Sequence, residues 1–299
     1  MGKLAIISDL HVDINQFSEQ ELLLLIDVLK EKQVTHLHLA GDTANHVPRV
    51  LETLDFIRSH HIPVTYNFGN HEMPSLDKAE EIESYPDASF LNQRTFELNN
   101  QLVLLAFNGW YDYSFSDETD NKKILAAKNL YWYDRFIHRG ESDPVINQEI
   151  LDRLKLVLDN LARESKQVVI ATHFVPKQSF IVYQKGKYKR WNELNAFLGA
   201  AKTGELLDQY TNIQQVVFGH THRRFENQII NGTIYSCHPF GYYFEWQLTR
   251  EFILTQRLAE QFNPMKVRGI LKTHREAFQE YRLQHLKEEF SKGVTIIDY

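Results

Sequence analysis

An α/β fold is predicted by three features of the 299-residue sequence: short apolar runs recur along it, amphipathic stretches of helical period separate them, and polar residues directly follow several of the runs. Residues 3–8 (KLAIIS) read as a buried strand that delivers Asp9 and His11 into the next loop. Ser18 and Glu21 form an S-x-x-E capping box that starts a helix over ELLLLIDVLKEK. VTHLHLAGD is a second strand ending in Gly41-Asp42, VLETLDFIRSHH a second helix, and PVTYNFGNHE a third strand. This alternation predicts strand-helix-strand units in a largely parallel sheet. QLVLLAFNG (101–109) is another strand, after which the rhythm breaks. Residues 110–145 mix many aromatic side chains, from Trp110 to Phe136, with acids and bases, and read as an insertion over one end of the sheet. A helix at 148–165, the strand QVVIATHF and a second helix-strand pair ending in IQQVVFGHTH restore the pattern. Asn231-Gly232 predicts a type I′ hairpin. Residues 250–290 read as mainly helical, interrupted at Pro264. The expected organisation is therefore a domain over 1–249 that contains the insertion, and a helical extension over 250–299 packed on it.

Composition narrows the function classes. Hydrophobic residues make up 43% and charged residues 24%, an ordinary balance for a globular protein throughout, and no repeat or low-complexity tract interrupts it. A formal charge of −6 argues against a surface that coats nucleic acid. The single cysteine, Cys237, forbids an intrachain disulfide and is compatible with a reducing compartment. The first apolar run is too short for a signal peptide or a membrane span, so cytoplasm is the expected location.

The polar residues that follow the predicted strands are Asp9, His11, Asp42, Asn70, His71, His173, His220 and His222. In an open α/β sheet such positions gather at the carboxyl ends of the strands, where ligands bind. Two carboxylates, an amide oxygen and several imidazoles suit Mn, Fe or Zn, and the absence of thiolates argues against a structural zinc cage. His36 and His38 instead alternate along one strand and read as hydrogen-bonded structural histidines. His46 is a candidate to line the site. The run PKQSFIVYQKGKYKRWNE, with Lys177 and Arg190 at its ends, is either a solvated loop or a basic arm that meets a second anion.

SDLHVD, GDTAN, GNHE, ATHFVP and GHTH occur in the order and approximate spacing of the calcineurin-like metallophosphoesterases, and the resemblance runs from Ser8 to His222. It implies a β-sandwich flanked by helices, in four αββα layers, with a dinuclear metal centre. Asp9, His11 and His222 would bind one ion, Asn70, His173 and His220 the other, and Asp42 would bridge them. A hydroxide held between the ions would attack phosphorus, and His71 would protonate the leaving group. Asn45 and His46 stand where protein Ser/Thr phosphatases carry Asp and Arg, and Met73-Pro74 follow Glu72, which speaks against that subfamily and removes the Asp that usually pairs with the catalytic histidine. Asn45 also occupies the place of the metal-binding Tyr of purple acid phosphatases. The expected function is hydrolysis of a small phosphodiester or phosphomonoester, with nucleotides among the candidates. A nuclease of the same superfamily is the second reading, disfavoured by the acidic balance, and a catalytically silent scaffold the third, disfavoured because no ligand is missing.

Overall fold

The computed structural model describes residues 2–299. Lys3–Ile7 (β1), His36–Ala40 (β2) and Val64–Asn67 (β3) run parallel, linked by the helices Glu19–Glu31 (α1) and Val47–Ser59 (α2). α1 starts where the sequence predicts: Ser18 Oγ accepts from the Glu21 N–H at 3.3 Å, and the Glu21 carboxylate accepts from the Ser18 N–H at 2.8 Å. A short helix, Ala79–Glu83 (α3), leads to Arg94–Glu97 (β4) and Leu102–Phe107 (β5). Asn121–Tyr131 (α4) lies in the aromatic insertion, and Asp143–Arg163 (α5) returns the chain to Gln167–Thr172 (β6). Ala201–Leu207 (α6) and Ile213–Phe218 (β7) precede the hairpin of Gln228–Ile230 (β8) and Thr233–Cys237 (β9). Its turn residues Asn231 and Gly232 have φ of 52° and 88°, the left-handed pair that a type I′ turn needs. Gln247–Thr255 (α7), Pro264–Thr273 (α8), Arg275–Lys292 (α9) and Thr295–Asp298 (β10) complete the chain.

Two sheets form rather than one. The first has the order β10-β1-β2-β3 and the second β4-β5-β6-β7-β9-β8. Their facing sides share a core of Leu4, Ile6, Leu104, Ala106, Val169 and Ala171, while the alternate residues Ala5, Ile7, Leu105, Phe107 and Ile170 pack in the larger cluster with the helices. β1, β5 and β6 are thus apolar on both sides, which is why these segments read as continuous hydrophobic runs. The pairing is mixed: β4, β8 and β10 are antiparallel to their neighbours, and the other pairs are parallel. No helix among the described residues is long and apolar enough to cross a membrane.

The C-terminal segment differs most from its sequence reading. Helices form as expected, with Pro264 in the first turn of α8, but residue 250 falls inside α7 and the last strand enters the sheet. β10 pairs with β1 from Lys3↔Asp298 to Ile6↔Thr295, and Gly2 and Tyr299 exchange backbone hydrogen bonds. α9 lies on α1, held by Arg282 Nε to Glu21 Oε1 at 2.5 Å and Lys287 Nζ to Glu31 Oε1 at 2.6 Å. Its Phe290 stacks on Phe240 (4.9 Å) and meets Phe17 (5.4 Å), binding the end of the chain to the loops that follow β1 and β9. Phe290→Ala should therefore destabilise the whole molecule by about 3–5 kcal/mol, the usual cost of emptying a buried aromatic site. Denaturant unfolding checks this: a loss under about 1 kcal/mol would mean that α9 is an independent appendage.

Candidate metal centre

The loops after β1, β2, β3, β6 and β7 open at the same end of the two sheets, and those after β1, β2 and β7 begin with a sharp reversal. Asp9, His11, Asp42, His220 and His222 all have left-handed backbones, with φ of 59°, 44°, 53°, 67° and 47°. Such conformations cost side-chain-bearing residues of order 1–3 kcal/mol each and persist only where surrounding contacts enforce them. The enforcing contacts are visible at the second motif. Gly41 has φ of 81°, and a Cβ there would lie 2.7 Å from both the Gly69 nitrogen and His173 Nδ1. Gly69 in turn leaves no room for a Cβ against Asp42 Oδ1. The glycines that precede Asp42 and Asn70 are thus a matter of space.

These loops bring together all the strand-end residues singled out in the sequence. Asp9, His11, Asp42 and His222 can each place one ligand atom within 4.8 Å of the others, as can Asp42, His173 and His220, so that Asp42 belongs to both groups. His11 Nε2 faces His222 Nε2 at 3.1 Å, and His222 Nε2 lies 3.2 Å from Asp9 Oδ1. In the second group His173 Nε2 is 3.1 Å from Asn70 Oδ1, 3.0 Å from His220 Nδ1 and 3.3 Å from Asp42 Oδ2. Donors about 2.1 Å from one ion and at right angles to each other are about 3.0 Å apart, so the spacing is that of neighbouring ligands on a shared cation.

The electrostatics agree with the donor chemistry. Asp42 is 1% exposed, and its Oδ2 has no hydrogen-bond partner although it sits among three imidazoles. A buried carboxylate oxygen left without a donor is costly unless a cation meets it. Burial alone would raise Asp9, but the hydrogen bond from His222 and the charges of His173 and His222 hold it below the ordinary carboxylate range. Burial lowers both His173 and His222, yet Asp42 lifts His173 to about 9, and Asp9 with Glu245 lifts His222 to about 10. The field that favours a proton on those rings also favours a metal ion between them. His11 and His220 are pushed down, chiefly by burial, and present neutral nitrogens.

His71 is held by residues the motif did not advertise. Its Nδ1–H donates to Asn45 Oδ1 at 2.7 Å, so the amide occupies the place of the missing aspartate. Its Nε2 accepts from the Tyr242 hydroxyl at 3.1 Å, and its ring stacks on Tyr133 at 4.2 Å with a 6° tilt. Burial dominates its titration and lowers it. Asp13 fixes the Asn45 loop by accepting the Asn45 N–H at 2.8 Å. The aromatic insertion contributes more than Tyr133: Asp134 accepts from Asn70 Nδ2 at 2.7 Å, and Trp132 sets its edge against His220. Glu245 accepts from His222 Nδ1 at 2.9 Å, orienting that ring as carboxylates commonly orient metal-ligating histidines.

Three residues proposed as substrate contacts are not brought into this cavity of about 370 Å³, which Tyr131, Trp132, Tyr133, Leu198 and Tyr242 line around the polar cluster. His46 is the exposed N-cap position of α2. Lys177 turns away to Asp208 (2.6 Å) and the Gly204 carbonyl (3.0 Å). Arg190 lies exposed over the ring of Trp191. His36 and His38 are satisfied by Thr65 and Asn67, as expected of structural histidines.

The comparisons with known proteins agree with this geometry. The family model of calcineurin-like phosphoesterases matches residues 2–224, and the chain belongs to that family. It is a hydrolase of phosphoric esters from a family that depends on a pair of metal ions. Among solved structures, its fold is similar to the phosphopantetheinyl hydrolase PptH from Mycobacterium tuberculosis, with 18% identity, a TM-score of 0.62, and coverage of 82% of this chain and 92% of that one. It is also similar to a dimetal phosphatase from Danio rerio, with 15% identity, a TM-score of 0.50, and coverage of 80% and 87%. A comparison with curated proteins finds no match.

Glu72, the last residue of GNHE, explains how the second and third loops are held together. Its buried carboxylate accepts from the backbone N–H groups of Asp42 (3.0 Å), Thr43 (2.6 Å), Ala44 (3.2 Å) and Gly69 (2.8 Å). Glu72→Gln would turn an amide NH₂ toward donors, and should lower stability by about 2–3 kcal/mol. A thermal midpoint within a degree of the parent would show that the four hydrogen bonds are dispensable.

Proposed function

We propose that this protein hydrolyses a small phosphodiester or phosphomonoester, a nucleotide being one candidate, at a site where Asp9, His11 and His222 hold one first-row metal ion, Asn70, His173 and His220 hold a second, and Asp42 serves both. The observation that carries this reading is the orphaned Asp42 oxygen at the meeting point of two donor groups spaced as ligands. Manganese, iron or zinc all suit nitrogen and oxygen donors of this kind. Such a pair, when bound, supplies Lewis acidity at the phosphoryl group and a nucleophile drawn from water.

The chain's own residues do the rest. His71 stands beside Asp42, with Nε2 3.9 Å from its Oδ2, and points that nitrogen into the cavity where a leaving oxygen would emerge. Asn45 fixes the ring by its other nitrogen, and Tyr242 lies within proton-transfer reach of Nε2. Stacking on Tyr133 limits rotation of the ring. Tyr131, Trp132 and Tyr133 of the insertion thus form one wall of the cavity beside this ring. The likeness to a phosphopantetheinyl hydrolase is one of fold, and it makes a phosphopantetheine ester a sensible member of any substrate panel.

Chelator-stripped protein should cleave p-nitrophenyl diesters and monoesters only after Mn²⁺ is restored, and Asp42→Ala should remove turnover in either state. Full activity in stripped protein or in that variant would overturn the reading. His71→Ala should lower kcat by about 10²–10⁴ for an alkyl leaving group, which needs a proton, and by much less for p-nitrophenolate, which does not. An equal loss on both would assign His71 to orientation rather than proton donation.

A further inference from the structure

A second and larger cavity, of about 650 Å³, opens beside the metal centre, and Thr221, His222 and Glu245 line both. Its walls come from the segment after β7, the loop after β9, α7, the start of α8 and Glu289 of α9. Apart from Thr221 and His222 of GHTH no motif covers this lining, and Arg223, Arg250, Phe244 and Phe262 take no part in the reaction proposed at the metal centre.

The charges in this cavity are unevenly matched. Glu289 is neutralised by Arg224 at 2.9 Å, and Glu245 is engaged by His222. Arg223 and Arg250 are exposed and have no carboxylate partner among the described residues. Arg250 lies over the Phe262 ring at 5.7 Å, and Phe244 presents a second ring on the same wall. In a chain of formal charge −6, two unopposed guanidinium groups in one concave, partly aromatic space are a local reversal of sign. A guanidinium presents paired donors in a plane, the arrangement that matches phosphoryl oxygens better than a point charge does.

We propose that this cavity binds a second phosphoryl group of the substrate, remote from the ester that is cleaved. The substrate class is then a phosphoester that carries a distal phosphate or diphosphate, its connecting portion crossing the ridge at His222 and Glu245. This rests on the hydrolase reading for the orientation of the substrate, but the anion site stands on its own residues.

The test is calorimetric binding of adenosine 3′,5′-bisphosphate and adenosine 5′-monophosphate to chelator-stripped protein, repeated with the double variant Arg223→Gln/Arg250→Gln. The bisphosphate should bind the parent about ten-fold or more tightly than the monophosphate, because charge-assisted hydrogen bonds to the added phosphate are gained. The double variant should lose that margin while keeping Mn²⁺-dependent cleavage of a p-nitrophenyl diester within about two-fold of the parent. Equal binding of the two nucleotides by the parent, or a margin that survives in the double variant, would overturn the proposal. A margin present in protein that cleaves no ester would sustain the anion site and refute the hydrolase reading, so the two failures are distinguishable.

Discussion

Everything at the active end of this molecule depends on keeping one carboxylate, Asp42, buried with an oxygen that no hydrogen bond satisfies. Desolvating a charge in this way is unfavourable by several kcal/mol, and the surroundings act to hold it there. Glu72 pins the backbone on both sides of it, Gly69 gives it room, and the His71 N–H accounts for its other oxygen at 2.9 Å. The left-handed backbone of Asp42 itself is a further cost of the same geometry. A fold that concentrates such terms at one point is organised for a ligand, and the donor set facing Asp42 defines that ligand as a cation.

The two sheets explain how five loops distant in sequence meet there. Asp9 and Asp42 come from the first sheet, His173 and His220 from the second, and the apolar layer between the sheets fixes their separation. The pairing of His220 N–H with both Asp9 oxygens, at 3.1 and 3.0 Å, ties one sheet to the other directly. The end of the chain strengthens the first sheet through β10 and braces the loop after β9 through Phe290. Tyr242 and Glu245 belong to that loop, so the C-terminal helices bear on the site without touching it.

The amino-acid sequence made the strand-end cluster legible because each member follows an apolar run and each run ends abruptly in a motif. What it left hidden came from segments lacking both features. Tyr133 and Asp134 sit in a short 3-10 turn within the insertion, and Tyr242 and Glu245 in a loop of irregular backbone, where neither period 2 nor period 3.6 marks which side chain points inward. Only their aromatic density was visible, and it did not separate core residues such as Trp110 and Tyr111 from site residues such as Tyr133. β10 was recoverable: VTIIDY follows Gly293 at the end of a helix and is a β-branched run of strand length. The neighbours of the basic run were hidden for a different reason, since a basic side chain reveals nothing about its partners until Asp208 is seen beside Lys177.

The most direct measurement is the metal stoichiometry of Mn²⁺-loaded protein after gel filtration, with an electron paramagnetic resonance spectrum of the same sample. Two ions per chain are expected, and a carboxylate shared between them would couple them magnetically. A single ion, or two ions giving the uncoupled spectrum of isolated Mn²⁺, would contradict the central role given to Asp42.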